Sequence, residues 1–150
     1  MADMPELRFD EFYRYDGMVA FLRAAHEYAD GRMALHELAA TAEGRRVFLA
    51  EITDPTTGPG EDKPAYYVQA GVHAQEGGGT AAALHLIRTL LTADDSADLL
   101  KEVAFYVVPQ ANPDGTEYAL TRRAEIRSRF YEIERKNGLV PKDLNGDGLI

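Results

Sequence analysis

Ala65-Tyr66-Tyr67-Val68-Gln69-Ala70-Gly71-Val72-His73-Ala74-Gln75-Glu76-Gly77-Gly78 decides the fold of this chain. Residues 65–72 form a nearly continuous apolar run, which reads as a strand buried on both faces. The run breaks into glycines, and from Thr80 to Leu91 apolar residues recur at 84, 87, 90 and 91, the spacing of an amphipathic helix. A second apolar run, Val103-Ala104-Phe105-Tyr106-Val107-Val108, stops at Pro109 and reads as another strand. Strand, helix, strand within this span is a βαβ unit, so the two strands should be parallel and the crossover right-handed. Open α/β sheets bind ligands beyond the carboxyl ends of their strands. His73 and Glu76 stand at one such end and Asn112-Pro113-Asp114-Gly115 just beyond the other, so neighbouring strands would turn both loops to one crevice.

Upstream, Tyr15, Met18, Val19, Leu22, Ala25 and Ala29 repeat at three and four, which predicts a helix over 16–29 with Asp16 as N-cap and Gly31 just past its end. Met33 to Ala42 has helical propensity yet leads through Glu43-Gly44 into Val47-Phe48-Leu49-Ala50-Glu51-Ile52, which reads as a strand. The earlier piece is therefore either a short helix or the first arm of a hairpin. Asp54 to Lys63, with its prolines and glycines, is a surface loop too short to link domains. The fold class expected is α/β, with a mixed, largely parallel sheet and flanking helices.

The 150 residues are 45% hydrophobic and 27% charged, an ordinary globular composition for one domain. There are no cysteines, which leaves His, Asp and Glu as the available metal ligands. No apolar run approaches membrane-spanning length, and Met1-Ala2-Asp3-Met4-Pro5-Glu6 lacks the basic-then-apolar pattern of an export signal. No membrane partner is expected, and the cytoplasm is the default location. The net charge of −9 opposes nucleic-acid binding, although Arg122 to Lys142 holds seven Lys or Arg against three Glu, a local +4 that leaves −13 elsewhere. That stretch is either a solvated helix face or a positive site for an anionic group.

Imidazole nitrogen and carboxylate oxygen both suit zinc, and a catalytic zinc takes three protein ligands with one position open to water. His73 and Glu76 are the candidate pair, although His-x-x-Glu alone recurs by chance. At the other end of the chain, Asp143-x-Asn145-x-Asp147-Gly148-x-Ile150 matches the first eight positions of an EF-hand-type calcium loop. Its Asp143, Asn145 and Asp147 are candidate Ca2+ ligands, and an Asp/Asn/Gly turn without metal is the alternative.

Together these pieces resemble the zinc metallocarboxypeptidases of the A/B type, whose pattern is strand, His-x-x-Glu, helix, strand, Asn-Pro-Asp-Gly, then an arginine. Val72-His73-Ala74-Gln75-Glu76, Val107-Val108-Pro109-Gln110-Ala111-Asn112-Pro113-Asp114-Gly115 and Arg127 match in order and spacing, from about Phe12 to Asn137. Thr41-Ala42-Glu43-Gly44-Arg45 looks like the family's turn between its first two strands, which favours a strand near Leu38 to Thr41. The resemblance implies Zn2+ held by His73 and Glu76, with Arg127 polarising the scissile carbonyl and stabilising the oxyanion. A guanidinium, always charged and donating in a fixed fork, suits that role. It implies a peptide or protein C-terminus as substrate, hydrolysed by zinc-activated water.

Three departures stand out. Gln75 replaces the family's frequent Arg before the ligating Glu, and at the place of the Asn-Arg pair that holds a terminal carboxylate Asn145 is followed by Gly146, so either the pair is missing or Asp143 to Gly148 belongs to an insertion and the pair lies later. The third ligand, a His, and the general base, a Glu, have no counterpart here. His85 follows Glu76 by nine residues, two and a half helical turns with a rise of ~13 Å, and so faces away; His26 and His36 read as surface or packing residues. The expectation is that residues 1–150 are the N-terminal portion of a single zinc carboxypeptidase-like domain whose other half lies further on, and that this piece alone is inactive. The rival functions are a zinc amidohydrolase of the same fold acting on an acylated amino acid, and a non-catalytic calcium-binding module through 143–150.

Overall fold

The computed structural model describes residues 3–122, so the expected roles of Arg127 and of Asp143, Asn145 and Asp147 lie outside the described residues. Four strands and four α-helices follow in the order α1 (Tyr15–Tyr28), β1 (Met33–Ala40), β2 (Arg46–Ile52), β3 (Ala65–Gln69), α2 (Gly77–Thr92), α3 (Ser96–Glu102), β4 (Ala104–Val108) and α4 (Pro113–Arg122). The strands form one mixed sheet in the order β1-β2-β4-β3. β3 and β4 are parallel neighbours, as the βαβ reading requires, with Ala65 opposite Ala104 and Gln69 opposite Val108. The β1–β2 and β2–β4 pairings are antiparallel, so among the described strands the parallel pair is one of three pairings.

The core lies where α1 and α2 pack on the sheet. Met18, Phe21, Leu22 and Ala25 of α1 and Ala83, Leu84, Ile87, Leu90 and Leu91 of α2 meet Phe48, Ala50 and Ile52 of β2 and Phe105 and Val107 of β4. The alternation along β2 and the three-four spacing along both helices place these residues on one face each. No helix among the described residues is long and apolar enough to cross a membrane.

Several expectations are corrected. β1 spans Met33–Ala40, so the ambiguous segment is the first arm of a hairpin, as the family resemblance favoured, but the strand begins well before Leu38: seven cross-strand partners in β2 outweigh the helical preference of its Ala, Leu and Glu residues. β3 is not buried on both faces. It stops at Gln69, and Tyr66 and Tyr67 are 59% and 58% exposed, because it borders the sheet and has only β4 beside it among the described strands. Asp16 is not the N-cap of α1; Arg14 holds that position without a side-chain cap, and Asp16 sits in the first turn, where a carboxylate favours the positive helix end. The loop after Asp54 contains two single 3-10 turns, Pro55–Thr57 and Gly60–Asp62. The short helix α3 was not anticipated, nor was α4.

Candidate metal centre

The chain leaves β3 at Gln69 and reaches Gly71, whose φ of +61° lies in the left-handed region that glycine adopts without steric cost. A Cβ there would stand 3.0 Å from Gln110 Cα and 3.2 Å from Thr80 Oγ1, so the loop passes this point only without a side chain. Val72 follows, then a tight turn in which the Glu76 N–H donates to the His73 carbonyl at 3.1 Å. The turn brings His73 Nδ1 to 3.0 Å from Glu76 Oε1. Glu76 occupies the N-cap position of α2 but makes no capping bond with its side chain. Its carboxylate is thus directed to His73 rather than to the helix end, and it remains 64% exposed against 30% for the imidazole.

β4 ends beside this loop, and the two are stitched together by backbone hydrogen bonds. Ala70 N donates to Val108 O, Ala111 N to Ala70 O, and Asn112 N to Gly71 O, each at 2.9 Å. Both loops therefore open at the same end of the parallel pair, where the sequence places the crevice.

The Asn-Pro-Asp-Gly stretch is the beginning of α4, not only a loop. Asn112 Oδ1 accepts the Gly115 N–H at 3.0 Å, an N-cap bond, and Pro113 takes the first helical position, where its missing N–H costs nothing. Gly115 is required by the cap itself, since a Cβ there would lie 2.5 Å from Asn112 Nδ2. That same Nδ2 donates to the Val72 carbonyl at 3.4 Å, one residue before His73.

Asp114 and Glu117 fasten α4 to the rest of the molecule. Asp114 Oδ1 accepts from Thr41 Oγ1 at 2.9 Å and from Arg45 Nη1 at 2.8 Å, while Oδ2 accepts the Glu43 N–H at 3.1 Å. The donors are the turn between β1 and β2. Glu117 accepts from Arg14 through Nε at 2.8 Å and through Nη2, and from the Tyr15 N–H at 3.3 Å, which caps α1 from outside. Burial alone would raise the Glu117 carboxyl; the Arg14 and Tyr15 hydrogen bonds and the Arg14 and Arg45 charges outweigh it and hold the group below the ordinary glutamate value. Neither acid was singled out from the sequence as a fastening residue. Asn112, Pro113 and Gly115 carried a helix-start signal that pattern reading alone did not use.

The remaining histidines have other partners. His26 Nδ1 meets the Met33 carbonyl at 2.8 Å and His36 Nε2 meets Glu51 Oε2 at 2.8 Å, consistent with packing and surface roles. His85 lies on the exposed side of α2, beside Thr89 and with its ring centroid 6.1 Å from that of Phe9. Among the described residues no three His, Asp or Glu side chains gather as a metal site, so His73 and Glu76 stand as a pair. Two ligand atoms on a tetrahedral zinc, with bonds of roughly 2.0–2.1 Å, lie about 3.3 Å apart. The 3.0 Å separation of His73 Nδ1 and Glu76 Oε1 needs only a few tenths of an ångström of adjustment, so the pair fits the ion.

Known proteins share the sequence pattern and the fold of this chain. Residues 18–146 match the family model described as zinc carboxypeptidase. Zinc carboxypeptidase A 1 of Drosophila melanogaster is 34% identical over 114 residues, which are 74% of this chain and 26% of that protein. Carboxypeptidase B of Astacus astacus is 28% identical over 112 residues, 73% of this chain and 35% of its own length. The chain thus spans about a quarter to a third of these relatives. Among solved structures, carboxypeptidase A from Helicoverpa armigera superposes with a TM-score of 0.75 at 23% identity, covering 86% of this chain and 32% of that one. A metallo-carboxypeptidase from Burkholderia cenocepacia gives 0.59 at 29% identity over 71% of this chain and 28% of its own.

Proposed function

Because this chain belongs to the zinc carboxypeptidase family, we propose that it forms the N-terminal portion of the catalytic domain of a zinc metallocarboxypeptidase that hydrolyses C-terminal peptide bonds. The observation that carries the reading is the His73–Glu76 pair at 3.0 Å, placed at the carboxyl end of β3 and fastened to the end of β4.

In this reading His73 and Glu76 hold the ion. Zinc, when bound, supplies the Lewis acidity that activates water and polarises the scissile carbonyl. The protein's own residues do the rest. Gly71 lets the loop turn close to β4, the His73–Glu76 turn sets the two donor atoms side by side, and Asn112 supports the carbonyl preceding His73. Arg127, through the family resemblance, would supply a permanent positive charge and a planar pair of donors to the negative charge that develops on the carbonyl oxygen. The third ligand and the general base come from residues outside those described here. The substrate is a peptide with a free C-terminus.

The test uses the full-length protein. Zinc-loaded enzyme should release the C-terminal amino acid from unmodified peptides and lose this activity when a chelator removes the metal. Cleavage of N-acylated single amino acids with no action on peptides would replace the peptidase reading with the amidohydrolase one. Turnover of neither substrate class at full zinc occupancy would refute hydrolysis.

A further inference from the structure

We infer that Asp114 is a positioning residue for the metal-ligating loop, acting on His73 through Asn112 and the carbonyls of Gly71 and Val72. The inference rests on the zinc reading of His73 and Glu76, and it goes beyond that reading by naming what fixes their geometry.

The path runs through hydrogen bonds at both ends and through the backbone of residues 112–115 between them. The β1–β2 turn closes a hairpin of seven cross-strand pairs and is itself held by the Thr41 N–H donating to the Arg45 carbonyl at 2.8 Å. Three donors of that turn converge on the Asp114 carboxylate, one of them the charged Arg45 guanidinium, and the side chain is only 12% exposed. Hydrogen bonds to a charged, largely buried carboxylate are stronger than neutral ones and poorly replaced by water. Asp114 therefore fixes the first turn of α4. That turn holds the Asn112 side chain, whose Oδ1 accepts the Gly115 N–H, and Asn112 donates its backbone N–H to Gly71 O and its Nδ2 to Val72 O. His73 is the next residue. Groups that orient metal ligands from behind typically change metal affinity by roughly 10–100-fold when removed.

Glu117 supplies the internal comparison. It lies one turn further along the same face, its side chain is 11% exposed, and it is bound by an arginine and a backbone N–H, yet it ties α4 to the start of α1 rather than to the hairpin. Among the described residues its side chain bonds neither the hairpin turn nor the Asn112 cap directly, although Tyr15, whose N–H it accepts, itself accepts the Arg46 N–H through its hydroxyl at 2.7 Å. A purely structural role would make the two acids equivalent.

The experiment compares Asp114→Asn and Glu117→Gln in the full-length protein. Zinc affinity is measured by competition with a chromophoric chelator, ligand geometry by the visible spectrum of the cobalt(II) form, and stability by urea denaturation. Asparagine keeps the shape of Asp114 but puts an NH2 where one of the three donors must bind. Asp114→Asn should weaken zinc by about tenfold or more and shift the cobalt spectrum, while Glu117→Gln lowers stability and leaves both unchanged. Thr41→Val removes one Asp114 donor and should move zinc affinity in the same direction, which keeps the test open if Asp114→Asn does not fold. Wild-type zinc affinity in Asp114→Asn or Thr41→Val, or equal weakening by Glu117→Gln, would overturn the inference. Zinc retained in His73→Ala would instead remove the ligand assignment on which it rests.

Discussion

Replacing Gly71 with alanine tests the loop geometry most sharply, because two independent costs fall on one methyl group. The first is conformational: φ of +61° is left-handed, and a residue with a Cβ there costs about 1–2 kcal/mol. The second is steric. The new Cβ would meet Gln110 Cα at 3.0 Å, Gln110 Cγ at 3.2 Å and Thr80 Oγ1 at 3.2 Å, all tighter than ordinary van der Waals contact. Gln110 cannot easily retreat, since the adjoining backbone is tied to the loop by the Ala111-to-Ala70 and Asn112-to-Gly71 hydrogen bonds. Overpacking of this kind costs about 1–3 kcal/mol, so the sum is about 2–5 kcal/mol. Gly78 is the control. It lies in α2 with nothing within 4 Å of where a Cβ would stand, and alanine there should stabilise by about 0.5–1 kcal/mol. Urea denaturation followed by far-ultraviolet circular dichroism gives both values. Indistinguishable stabilities for the two variants would refute the reasoning about how this loop is held.

Three further outcomes follow from the same structure. Arg127→Ala should leave bound zinc unchanged and lower kcat by about 10²-fold or more, as expected on losing an oxyanion donor; normal turnover in the variant would assign Arg127 to the surface instead. Glu117→Gln should cost on the order of 1–3 kcal/mol at neutral pH. Because the folded-state pKa of Glu117 is depressed, its contribution is fully present above the unfolded value of about 4.3 and is lost as pH falls through the lower folded value. The stability gap between wild type and variant should therefore be constant from pH 7 to 5 and shrink below pH 4; a gap that grows on acidification would contradict the sign. Asn112→Ala should lower stability by about 0.5–2 kcal/mol through loss of the α4 cap, read by urea denaturation.

Periodicity made α1, α2, β2 and β4 legible, because each buries one face or runs unbroken through the core. It failed where pairing decides. Met33-Ala34-Leu35-His36-Glu37-Leu38-Ala39-Ala40 contains good helix formers and becomes a strand only because β2 supplies its hydrogen-bond partners. β3 looked doubly buried since its composition is apolar, yet Tyr66 and Tyr67 are exposed, β3 having only β4 beside it among the described strands. α3 is seven residues long, too short for a periodic signal. At the site, His73 and Glu76 are three apart and could be read together. The contacts that hold them could not, because Arg14 meets Glu117 across 103 residues and Arg45 meets Asp114 across 69.

Zinc content of the full-length protein tests the central claim most directly. Elemental analysis after exhaustive dialysis should find one zinc per chain in the wild type and in His85→Ala, and none in His73→Ala or Glu76→Ala with the fold intact by circular dichroism. Full zinc occupancy in His73→Ala would contradict the account.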